Sequence, residues 1–94
     1  MVVVFIEYNI LVPNDSYIHN IIKNNTRKSS TDIINSLMSV VILDTRYIRR
    51  YSTSTGSKRA WGRSYITVNL HGTSLDYINN EISRVNDEYK KSNN

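Results

Sequence analysis

Between Asp44 and Asp76 the 94-residue chain contains no acidic residue, and six of its twelve lysines and arginines fall in that interval: Arg46, Arg49, Arg50, Lys58, Arg59 and Arg63. Tyr47, Tyr51, Trp61 and Tyr65 are interleaved with them. Guanidinium groups hold phosphate or carboxylate through charge-assisted hydrogen bonds, and aromatic rings stack on nucleobases of any identity. These ten residues form the candidate binding set, and its chemistry suits a nucleic acid, RNA or single-stranded, or an acidic protein surface.

The two runs that carry them, Val40 to Tyr51 and Trp61 to Leu70, are rich in β-formers, and Ser52 to Ala60 with Gly56 separates them, so the segment reads as a long hairpin with a flexible tip. Symmetric pairing about Gly56 sets Tyr51 against Trp61, Arg49 against Arg63, Tyr47 against Tyr65 and Thr45 against Thr67 on one face. Ile42, Ile48, Ile66, Val68 and Leu70 then form the core face. Directly opposed arginines destabilise a sheet unless an anion sits between them, so this register calls for a bound phosphate or carboxylate. Lys58 and Arg59 at the tip could follow a nucleic-acid backbone. Exposed sheet faces also carry arginine and tyrosine simply as a hydrated cover.

A second basic group, His19, Lys23, Arg27 and Lys28, lies between Asp15 and Asp32. His19, Lys23 and Arg27 are spaced for one helix face, which reads as a solvated flank unless it adjoins the hairpin.

Other chemistry lacks its residues. There is no cysteine, hence no disulfide, thiolate site or thiol nucleophile, and His19 and His71 match no metal-binding spacing. The surroundings of Gly56 match neither a phosphate loop nor a dinucleotide fingerprint. Glu7 and Asp44 could approach each other if their strands adjoin, but each is better explained by solvent or an arginine such as Arg46. The expectation is a protein that is not an enzyme, with no catalytic residue, no cofactor and no metal.

The elements that must position the hairpin follow from periodicity. Val2 to Val12, closed by Pro13, reads as a strand, central because apolar residues occur at both parities. Caps among Asn14, Asp15 and Ser16 precede Tyr17, Ile18, Ile21 and Ile22 at helical spacing, and a second helix carrying Ile33, Ile34, Leu37 and Met38 starts from Ser30 or Thr31. Thr73 with Asp76 matches a capping box, and Leu75, Ile78, Ile82, Val85 and Tyr89 mark a C-terminal helix with Glu81, Arg84 and Glu88 on its outer face. Two copies could share that apolar seam as a homodimer, although burial against the chain's own sheet competes.

This order predicts an α+β fold, a small split β-α-β-β-α sandwich: a three-stranded sheet with a long hairpin and helices on one face. In element order alone it resembles a ferredoxin-like plait lacking its last strand. One domain is expected over residues 1–91, with a frayed tail at 92–94. Met1 to Val12 lacks a basic leader and an uninterrupted apolar span, so neither a signal peptide nor a membrane helix is expected. The location expected is cytoplasmic. The surplus of Asn, Ile, Lys, Tyr and Ser over Ala, Gly and Pro fits an AT-rich coding sequence such as small phage proteins have, in which case the site of action would be the host cytoplasm.

The net charge of +4 favours polyanions. The expected function is a small basic module contacting nucleic-acid phosphates and bases through the hairpin. The alternative is a phage-type inhibitor or adaptor, in the style of anti-CRISPR or anti-restriction proteins, that binds a partner protein complex through the same residues.

Overall fold

The computed structural model describes residues 6–52, 59–69 and 75–92. Among these residues six elements follow one another: β1 (Glu7–Val12), α1 (Tyr17–Asn24), α2 (Arg27–Leu37), β2 (Ile42–Ser52), β3 (Arg59–Asn69) and α3 (Leu75–Ser92). The three strands form one sheet in the order β1-β3-β2, antiparallel at both junctions. β1 and β2 are therefore parallel with β3 between them, the split β-α-β arrangement within an α+β fold. The hairpin tip, Leu70, His71, Gly72 and the cap at Thr73 lie outside the described residues. No helix among the described residues is long and apolar enough to cross a membrane.

β1 is an edge strand, not the central one. Its mixed parity has another cause: Ile10 and Val12 enter the core, while Leu11 is 50% exposed on the opposite face. The centre goes to β3, whose Ile66 and Val68 are buried with Ser64 and Gly62 on the same side.

Ser16 caps α1 by accepting a hydrogen bond from the His19 amide at 3.1 Å. Only Asn25 and Thr26 separate the first two helices. Thr26 caps α2 by accepting from the Ser29 amide, so α2 begins at Arg27 and not at the caps expected at Ser30 or Thr31. Those hydroxyls are used inside the helix layer instead: Ser30 Oγ donates to the Ile21 carbonyl and Thr31 Oγ1 to that of Arg27. Asn35 on α2 hydrogen-bonds both the amide and the carbonyl of Ile42, which ties the helix to the start of β2.

Ile18, Ile21, Ile22 and Ile34 meet Ile10, Val12, Ile42, Ile66 and Val68 in a single core, closed by Ile78, Ile82 and Val85 of α3. The middle of the α3 seam is thus buried within the chain. Each fully buried isoleucine contributes roughly 1.5–3 kcal/mol over its exposed state. Tyr89 stacks on Tyr17 with ring centroids 3.7 Å apart, and the Tyr17 amide donates to Asn86 Oδ1. Glu81, expected on the outer face, is buried and accepts from the amide and hydroxyl of Ser39.

Candidate nucleic-acid interface

The hairpin register places the site. β2 and β3 pair Arg46 with Tyr65, Tyr47 with Ser64, Ile48 with Arg63, Arg49 with Gly62 and Arg50 with Trp61. This is one residue away from symmetry about Gly56, and a one-residue slip turns one strand over relative to the other. The opposed pairs Arg49 with Arg63, Tyr47 with Tyr65 and Tyr51 with Trp61 therefore do not form. Arg63 faces Ile48 and Arg49 faces Gly62, so the like-charge contact that called for an anion is absent. Ile48 leaves the core face and stands half-buried on the other side.

An irregularity between Ile42 and Asp44 is part of the cause. The extra residue lets Ile42 and Thr45 both point inward, whereas strict alternation would put them on opposite faces.

Eight of the ten candidate residues divide between two faces. Arg46, Arg50, Trp61, Arg63 and Tyr65 share the open face of the sheet with Ile48, and next to them β1 contributes Asn9 and Leu11. Arg63 is diagonal to both Arg46 and Arg50, which gives three guanidinium groups around one cross-strand pair. Arg46, Arg50 and Arg63 are exposed, and Trp61 is 43% exposed. Among the described residues none of these three arginines makes an ion pair, since the pairs present join Arg27 to Asp44 and Arg84 to Glu81 and Glu88. Thr67 Oγ1 donates to Asn9 Oδ1 at 2.7 Å and fixes the polar end of this face.

Tyr47, Arg49 and Tyr51 occupy the helix side. The Tyr47 ring lies over Gly62, where a Cβ would fall inside it. Tyr51 first and Tyr47 second interact with the Arg49 guanidinium and hold its pKa above the ordinary value. Lys58 and the side chain of Arg59 lie outside the described residues.

Asp44 pairs with Arg27 through both carboxylate oxygens, not with Arg46. The hydrogen bond from Arg27 is the leading cause of its lowered pKa, and Arg46 adds a smaller Coulombic pull. β3 separates the strands of Glu7 and Asp44, so the two carboxylates do not sit on adjoining strands. Both line a depression of about 670 Å³ together with Arg46, Ile48, Tyr65 and Thr67.

The helical basic group is divided as well. Arg27 belongs to α2 and is spent on Asp44, while His19 and Lys23 stay on α1 beside the hairpin. His19 Nδ1 is 2.7 Å from Ser64 Oγ, and its ring meets Tyr47 edge-on at a centroid distance of 6.0 Å. Burial first and the Lys23 charge second lower the His19 pKa, which favours the neutral ring. Neither His19 nor Lys23 belongs to the ten-residue set. Their shared helix face is visible in the sequence, but the place where that face meets the hairpin is not.

No protein family, curated protein or solved structure matches the chain.

Proposed function

We propose that the protein binds single-stranded nucleic acid, RNA in particular, on the open face of its sheet. The observation that carries the reading is the juxtaposition on that face of Arg46, Arg50 and Arg63, free of carboxylate partners among the described residues, with Trp61 and Tyr65 on the central strand. Trp61 and Tyr65 are four residues apart on one strand, about 13 Å, with Arg63 between them. Two bases stack on two rings while guanidinium groups on either side take the phosphates. An open sheet reads unpaired bases in this way, whereas duplex DNA would present only its backbone to so broad a surface.

Replacing Arg46, Arg50 and Arg63 together by Ala tests the reading. Affinity for a short single-stranded RNA should fall at least tenfold at low salt. The slope of log K against log salt should flatten by roughly 2, about 0.7 for each phosphate that the variant no longer neutralises. Unchanged affinity and slope would reject the reading.

A protein partner is the second reading, in which the module is an inhibitor or adaptor. Leu11 at 50% exposure and the half-buried Ile48 favour it, because they give the same face an apolar component that phosphate does not need. That reading predicts a stoichiometric complex with an acidic protein surface that survives salt, and no nucleic-acid binding.

A further inference from the structure

The hairpin is longer than the strand beside it. β1 pairs with β3 only as far as Val12 opposite Ser64, while β2 and β3 continue to Ser52 opposite Arg59. Beyond Ser64 the hairpin overhangs, and among the described residues none pairs with that edge of β3, where β1 has left through Pro13 and Asn14 toward α1. A groove of about 370 Å³ lies there on the helix side, between α1 and the overhang.

Its walls are chemically one-sided. Lys23 comes from α1 and Arg49 from β2, both exposed, and among the described residues no carboxylate lines the groove. Asn14 supplies an amide at the turn before α1. His19 Nδ1 is occupied by Ser64; where it accepts from the Ser64 hydroxyl, Nε2 carries the ring proton and, with no hydrogen-bond partner among the described residues, can donate it to a ligand in the groove. Gly62 and the Tyr47 ring above it form the floor. The three groups that converge, an ammonium, a guanidinium and an imidazole nitrogen, are complementary to a compact oxyanion with several oxygens and more than one negative charge.

Trp61 joins this groove to the open face. It stands opposite Arg50 on the sheet and also contributes to the rim of the groove. Because no described residue pairs with the edge of β3 at this level, a strand whose last base stacks on Trp61 can turn past that edge and reach the groove with its end.

We infer that the groove between α1 and the hairpin overhang, with Lys23, Arg49 and His19, is a binding site for the terminal phosphate monoester of the single strand held on the open face. The inference rests on the proposed single-strand binding. It adds that the protein distinguishes a phosphorylated end from a hydroxyl end. An internal phosphodiester carries one charge and no third free oxygen, so it fits the groove less well.

The test compares one five-nucleotide RNA with a 5′-phosphate, with a 3′-phosphate and with hydroxyls at both ends, binding to the native protein and to a Lys23→Gln, Arg49→Gln variant. Both substituted side chains are exposed, so the variant should keep its fold, checked by its circular dichroism and melting temperature. One of the phosphorylated strands should bind the native protein on the order of tenfold more tightly than the unphosphorylated strand, about the value of one charge-assisted contact. The variant should lose that increment and keep the rest of the affinity. Millimolar inorganic phosphate should compete away the increment alone. Equal affinity for all three strands would overturn the inference and leave open-face binding standing. If none of the three strands binds, both fall.

Discussion

Gly62 shows how one residue sets what the neighbouring side chains can do. Its missing side chain lets the phenol end of Tyr47 lie against β3, and that ring meets His19 and interacts with Arg49. Gly62→Ala must therefore push the tyrosine aside. The expected cost is roughly 1–3 kcal/mol, read from chemical denaturation. The same substitution in a Tyr47→Ala background should cost much less, because the clash has been removed in advance. Additive penalties would mean that Gly62 is required for another reason. Glycine in a strand commonly marks such a close approach, but the sequence does not say which ring arrives.

At the scale of elements, α3 is fastened to the α2–β2 connection by a polar cluster and not by apolar packing alone. Glu81 accepts from Ser39 and pairs with Arg84, which also donates to the Leu37 carbonyl. The Arg84 hydrogen bond, followed by those from Ser39, lowers the Glu81 pKa from 4.5 to about 2. A carboxylate that binds its proton less readily folded than unfolded stabilises the fold above about pH 4.5. That contribution fades as the pH falls from there through about 2. Glu81→Gln should cost roughly 1–2 kcal/mol at neutral pH, the value of weakened hydrogen bonds to a charged group. The difference in melting temperature between the two proteins should then close between pH 4.5 and 2; a constant difference would contradict the assignment.

The elements themselves are legible because each has its own periodicity: the strand before Pro13, the isoleucines of α1, the hairpin and the seam of α3. The register is not. On β3 the alternation of Gly62, Ser64, Ile66 and Val68 with Trp61, Arg63, Tyr65 and Thr67 reads correctly from the sequence. On β2, Ile42 and Ile48 have the same parity and suggest one face, but the irregularity at Asp44 separates them. A single inserted residue leaves no mark in composition or spacing, so Tyr47, Arg49 and Tyr51 stand on the opposite side from the one their spacing suggests. The same blindness applies to β1, where apolar side chains at both parities mean an exposed edge instead of a covered centre.

Over the whole molecule, charge is sorted by layer. The sheet contains two of the eight acids, Glu7 and Asp44, and Asp44 is already paired with Arg27. Four others, Asp76, Glu81, Asp87 and Glu88, belong to α3 on the helical side. An anionic strand approaching at low salt is therefore drawn to the open face and away from α3. Trp61 is the only tryptophan in the chain and stands in that face, so its emission reports on the site without a label. The decisive measurement is a titration of the protein with a short single-stranded RNA at low ionic strength, followed by Trp61 fluorescence. Stacking and phosphate contact predict a saturable change in emission whose midpoint moves to higher RNA concentration as salt is added; emission that stays constant through excess RNA at the lowest salt would contradict the account.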